Sequence, residues 1–251
     1  MGDFWDHIRE LDASRRSAIL AQVRLARLGD PEKGDKRERQ AFWEQSELAR
    51  ASEASDFPWI NSSTVWSLHS ALDGFVEDLS PAFRDMTADL ISREMFARAT
   101  AEYPDAAAEL EPAALDALRQ AATQILADQV KPKRVRGNGV VRWEKPLAHV
   151  GLGAPPDRPI PNSLDRALVE LCVIRDVLTH RCGRVDDKAA ADCPWLGLQV
   201  GTFVRISSGQ ARRYSAAVGT YGAEVVRRVL SRGGIDQRVD LGTWQQGGFL
   251  I

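Results

Sequence analysis

An all-α fold, a bundle of helices, is what this 251-residue sequence predicts, on three observations. Apolar residues recur at three- and four-residue steps through most of the chain. Gly, Pro and Asn/Ser clusters punctuate these runs where helices start and stop. Strand-like patterning is confined to two short stretches, 131–143 and 199–207. At 44% hydrophobic the chain can bury a substantial core. The expected organisation is an N-terminal helical extension over 1–60, a helical bundle over 61–232 with a small hairpin insertion, and an irregular C-terminal tail over 233–251.

The first helix is expected from about Asp3 to Leu28, with Ile8, Leu11, Ile19, Leu20 and Val23 as its stripe and Gly29-Asp30-Pro31 as its stop. A charged stretch then leads into a second helix carrying Phe42, Trp43 and Leu48, either a hairpin partner packed on the bundle or an arm for another protein. Phe57-Pro58-Trp59 reads as a break, and Asn61-Ser62-Ser63-Thr64 as the cap of a helix with Val65, Leu68, Leu72, Phe75, Val76 and Leu79. Asp73 stands inside that apolar face, as a surface acid or as a partly buried group bonding the motif helix described below. Pro81 is expected to start a new helix through Phe96, and residues 112–130 another.

From Lys131 the character changes. Lys131, Lys133, Arg134, Arg136 and Arg142 surround Gly137-Asn138-Gly139, a sequence able to turn between two short extended runs. A basic hairpin with Trp143 exposed would hold an RNA backbone with a base stacked on the indole; the plainer reading is a solvated loop tip. His149, in the Gly- and Pro-rich loop that follows, is expected to be structural or exposed. After the motif helix described next, 199–207 reads as a short edge strand. A last helix from Gln210 to Leu230 follows, decorated by Arg212, Arg213, Arg227 and Arg228, with Arg232 just beyond; most are expected in solvent, some along an RNA groove.

The most chemical stretch is Ile174-Arg175-Asp176-Val177-Leu178-Thr179-His180-Arg181-Cys182-Gly183. Its helix starts at Pro161-Asn162-Ser163, is striped by Leu164, Leu168, Leu171, Ile174 and Leu178, and stops at Gly183. Asp176 and His180 are four apart, one above the other, so the carboxylate is placed to accept from the imidazole and orient it. A histidine so held can take and give protons. Arg175 lies about 140° around the helix from His180, so a long side chain or a second subunit must close the gap.

At these residues the chain resembles the HEPN superfamily, whose motif is an arginine, then a polar residue, then a histidine at a helix end; Arg175-Asp176-Val177-Leu178-Thr179-His180 has the shortest spacing. Ser70-Ala71-Leu72-Asp73-Gly74-Phe75-Val76-Glu77-Asp78-Leu79 is similar to an early helix of the same superfamily, and the likeness spans roughly 62–230. Arg181 departs from the pattern, since many relatives carry Asn there. The resemblance implies a bundle that forms a homodimer and, in catalytic members, a metal-independent endoribonuclease. His180 would then be the general acid/base, Arg175 the phosphate clamp and Asp176 the group that orients His180. It also implies a toxin or antiviral-defence role, with an antitoxin or defence-system protein as partner. The alternative is a non-catalytic dimeric module of the same type that binds nucleotide, nucleic acid or a partner protein.

A formal charge of −2 provides no global field for nucleic acid, so RNA affinity must come from local patches. Cys172, Cys182 and Cys193 are too few and too irregular for a disulfide framework, which with the absence of an apolar leader suggests a reducing cytoplasm and no membrane. His180, Cys182 and Cys193 lack the paired spacing of a zinc site, so no metal is expected. No cofactor is expected either, because phosphate-loop, dinucleotide-fingerprint and nucleophile-elbow patterns are missing.

Overall fold

A computed structural model describes residues 2–27, 35–102 and 137–232, together with isolated positions at 116–117, 120–121 and 124. The described residues form an all-α fold: α1 (Gly2–Arg27), α2 (Lys36–Ala54), α3 (Pro58–Glu102), α4 (Val141–His149), α5 (Asn162–His180), α6 (Asp187–Asp192) and α7 (Ser208–Arg232), with a 3₁₀ turn at Pro194–Leu196. Of the expected helix over 112–130 only residues 116–117, 120–121 and 124 are described, and they are helical; the tail over 233–251 lies outside the described residues.

The core forms where the apolar stripes of α3, α5 and α7 meet. Leu68, Leu72 and Val76 of α3 pack with Leu164, Leu168, Leu171 and Ile174 of α5, and with Tyr214, Val218, Tyr221 and Val225 of α7. Burial of these faces removes the large apolar side chains from water, the main term favouring the fold. The segment 1–60 is less separate from this core than an extension. Phe4 stacks on Phe75 at 4.2 Å between ring centroids, and Ile8 joins the same cluster. Arg15 donates through Nε and Nη2 to the Asn61 side-chain oxygen at 3.2 and 3.1 Å. Asn61 in turn donates to the Ile206 carbonyl at 2.9 Å, tying α1, the start of α3 and the lead into α7 at one buried point. Asn61 is therefore a core hydrogen-bonding residue rather than a helix cap. The second helix opens on a capping box: Asp35 accepts from the Glu38 amide at 2.9 Å while Glu38 accepts from the Asp35 amide at 3.1 Å. It packs against α1, leaving Trp43 and Leu48 exposed.

Three expectations are corrected. The expected break falls at residues 55–57, with Asp56 and Phe57 at positive φ, but helix α3 begins at Pro58 instead of at the Asn61 cluster and runs unbroken through Pro81 to Glu102; proline at the first helical position has no amide to leave unsatisfied. The second arm expected of the hairpin at 131–143 is helical, since Val141–His149 is helix α4; the first arm, 131–136, lies outside the described residues. Gly139 adopts a positive φ of 67°, but the turn feeds a helix because Asp165 of α5 accepts from the Val140 amide at 2.9 Å. The edge strand at 199–207 is a single antiparallel bridge between Arg184 and Phe203.

Candidate functional site

Helix α5 delivers the motif as its periodicity requires. Leu164, Leu168, Leu171 and Ile174 are buried, and His180 is its last residue, exposed. The helix is left through two residues at positive φ, Cys182 at 50° and Gly183 at 81°, and the Gly183 amide donates back to the Val177 carbonyl at 3.0 Å. His180 lines an open pocket of about 500 Å³ together with Asp176, Arg181, Lys188, Asn138 and Asp192. Among the described residues no hydrogen bond holds its ring.

Two parts of the expected constellation are arranged differently. Asp176 accepts from Arg175 Nη1 at 2.9 Å instead of from His180. Arg175 does not line the pocket with His180 in one chain; it is half-buried on the other side of Asp176, and its Nε is buried without a partner. Arg181, the departure from the family pattern, donates through Nε to Asp186 at 2.9 Å. Asp186 also caps α6 by accepting from the Ala189 amide at 2.9 Å and so fixes the far wall of the pocket. Lys188, on that wall, is ion-paired with Asp192 and was not legible as a pocket residue, because nothing local in Asp187-Lys188-Ala189 marks which way the short helix folds back.

Arg142 and Trp143 are the largest corrections to the expected RNA surface. Trp143 is fully buried, tilted against His69 and Tyr221 at centroid distances of 5.8 and 6.1 Å. Its Nε1 donates to Asp73 at 2.9 Å. Arg142 donates to both Asp73 oxygens, through Nε at 3.0 Å and Nη2 at 2.9 Å. The indole supplies large apolar area and the carboxylate satisfies its one polar atom, so the exposed stacking face expected of Trp143 is absent, and Arg142 is tied to Asp73. Lys131, Lys133, Arg134 and Arg136 lie outside the described residues. Three arginines of α7 are likewise engaged: Arg228, buried, donates to Glu144, Glu224 and the Leu152 carbonyl, Arg232 to the Val150 carbonyl, and Arg213 pairs with Glu170.

Behind Arg175 and Asp176 lies a buried polar layer that the sequence did not reveal. His69 is 1% exposed, with Nδ1 3.5 Å from Asp73 Oδ2. Burial depresses its pKa to about 4, and the charges of Arg142 and Arg175 add to that while Asp73 and Asp176 oppose it. Burial by itself would raise the Asp73 carboxyl, but the hydrogen bonds from Arg142 and Trp143 and the adjacent charges hold it below the ordinary carboxylate value. Cys172, enclosed in the same layer, is pushed up to about 12 by burial, an inert thiol. The signal available was the His69/Asp73 spacing of four on an apolar face.

Cys193 is buried and Cys182 exposed, and among the described residues no three His, Cys, Asp or Glu side chains gather where a metal ion would bind. None of the described helices is long and apolar enough to cross a membrane. Compared with known proteins, the chain matches no family model, no curated protein and no solved structure.

Proposed function

We propose that the chain is a metal-independent endoribonuclease that acts as a homodimer, with His180 as general acid/base and Arg175 as the phosphate clamp. The observation that carries the reading is His180 itself: a histidine at a helix end, exposed and without a hydrogen-bond partner among the described residues, on the wall of an open pocket. Cleavage of RNA through its own 2'-OH needs a base for that hydroxyl and an acid for the leaving 5'-oxygen. One His180 accepts the 2'-OH proton as O2' bonds to phosphorus, and the second copy gives a proton to the 5'-oxygen as the P–O5' bond breaks, leaving a 2',3'-cyclic phosphate. Two copies related by a two-fold axis supply both imidazoles and two guanidinium groups for the charge that develops on phosphorus. Asp176 positions Arg175, with which it is bonded. A toxin or antiviral-defence role, restrained by an antitoxin or defence-system partner in a reducing cytoplasm, accords with this chemistry.

A second reading, a non-catalytic dimeric module binding nucleotide, nucleic acid or protein, is favoured by one observation: Asp176 holds Arg175 and leaves His180 unoriented in the single chain. Incubation of the purified protein with total RNA in EDTA separates the two. Fragments with cyclic-phosphate 3' ends that disappear in His180→Ala support the nuclease. Intact RNA with the wild-type dimer supports the module, and undiminished cleavage by the variant refutes the site.

A further inference from the structure

Phe203 is 58% exposed and belongs to neither apolar cluster of the core, yet its backbone is held firmly. It pairs with Arg184 in the only β-bridge among the described residues. On either side of it the Val185 amide donates to the Thr202 carbonyl and the Val204 amide to the Gly183 carbonyl, both at 2.9 Å. The same turn therefore ends the motif helix at His180 and carries the phenyl ring. A Cβ on Gly183 would stand 3.4 Å from Phe203 Cδ1, which sets one edge of the ring beside the turn three residues beyond His180.

A cation sits on the ring. The Arg184 guanidinium lies 4.7 Å from the ring centroid and donates through Nη1 to the Gly201 carbonyl at 3.0 Å; among the described residues it has no carboxylate partner. Arg205, two residues past Phe203 on the chain, is exposed and is also without a carboxylate partner among the described residues. This contrasts with Arg181, Arg213 and Arg228, each of which is neutralised. A rigid exposed aromatic flanked by uncompensated cations has the two elements of single-strand recognition, a stacking face for a base and positive charge for the adjoining phosphates.

We propose that Phe203, with Arg184 and Arg205, is a stacking platform for an unpaired base of single-stranded RNA next to the scissile link. The inference rests on the ribonuclease reading for its ligand, and it adds a substrate preference: unpaired over duplex RNA, with little discrimination among bases, since every base has a face to stack.

Binding is measured in the His180→Ala background, so that no turnover intervenes, by fluorescence anisotropy with labelled decauridine, decaadenosine and a blunt RNA duplex of equal length. Phe203→Ala is expected to weaken both single strands by about tenfold, the loss of one base stack, while Phe203→Trp retains affinity and the duplex is unaffected. Arg205→Ala is expected to lower the slope of log affinity against log salt by about 0.7, one phosphate contact. Unchanged affinity in Phe203→Ala overturns the platform, as does failure of the parent to bind either strand. A shift in oligomeric state by light scattering on Phe203→Ala also overturns it, because the ring would then be a contact between copies. Cleavage is scored separately: if His180→Ala cleaves like wild type but affinity still depends on Phe203, the nuclease site fails and the platform stands.

Discussion

Asp73 of α3 accepts both a fork of hydrogen bonds from Arg142 and the indole N–H of Trp143, at 2.9 to 3.0 Å. One carboxylate thus fastens the first turn of α4 to the long helix and lets the largest side chain of α4 enter the core. Removing it orphans a buried indole donor and a half-buried guanidinium together. Asp73→Ala is expected to destabilise the fold by about 3 kcal/mol, read as a lower urea midpoint with little change in slope. Asp73→Asn, which keeps an acceptor for Trp143 but not the charge, should fall between the two. Equal midpoints for all three proteins would contradict this role.

His69 makes the fold sensitive to mild acid. Its folded pKa of about 4 lies below the value near 6.5 of an unfolded chain, so between these values the unfolded state binds the proton and the folded state does not. Stability is therefore complete above about pH 6.5 and declines as pH falls towards 4, by on the order of 3 kcal/mol at most. Asp73, whose folded pKa is depressed, adds a further loss at lower pH as its carboxylate is protonated. Unfolding free energies at pH 7.5, 6.0 and 5.0 should decline in the wild type and vary less in His69→Phe. Parallel pH profiles would show that another group titrates.

Arg175 is expected to matter more for chemistry than for folding. Its one observed hydrogen bond is to the exposed Asp176, and such pairs stabilise little. On the proposed ribonuclease reading, Arg175→Ala and Arg175→Lys should both lower RNA cleavage by about two orders of magnitude, since an ammonium cannot reproduce a planar two-point grip on phosphoryl oxygens. Thermal midpoints should move by a few degrees at most. A Lys variant with wild-type cleavage would reduce Arg175 to a point charge and remove the clamp.

What could be read from the sequence was whatever is periodic or locally punctuated. Leu164, Leu168, Leu171 and Ile174 mark the buried face of α5, and Gly183 takes the left-handed conformation its position implied. The stretch after Gly139 failed because a distant group decides it. Val140-Val141-Arg142-Trp143 has strand-like content, but Asp165 captures the Val140 amide and Asp73 captures Arg142 and Trp143, partners 25 to 70 residues away that no local pattern contains. Within the site, the exposure of His180 followed from its place at the helix end. The choice of Asp176 between His180 and Arg175 did not, since the spacing of four to His180 marks only one of the two partners and the bond is made to the adjacent Arg175.

Gly222 of α7 tests whether α1 belongs to the core. A Cβ at this position would overlap the Phe4 ring, which is sandwiched between the glycine and Phe75. Gly222→Ala must therefore displace α1 or twist Phe4 from its stack, and its gain in helix propensity, about 1 kcal/mol, is outweighed by an overpacking penalty of about 1–3 kcal/mol. Phe4→Ala alone should cost about 3 kcal/mol. Because it also clears the space that the added methyl group needs, the double variant should be no less stable than Phe4→Ala, with a coupling of about 1 kcal/mol or more in a double-mutant cycle. Strict additivity in urea unfolding would mean that the ring and the glycine are not in contact in solution, and that α1 is an appendage instead of a member of the bundle.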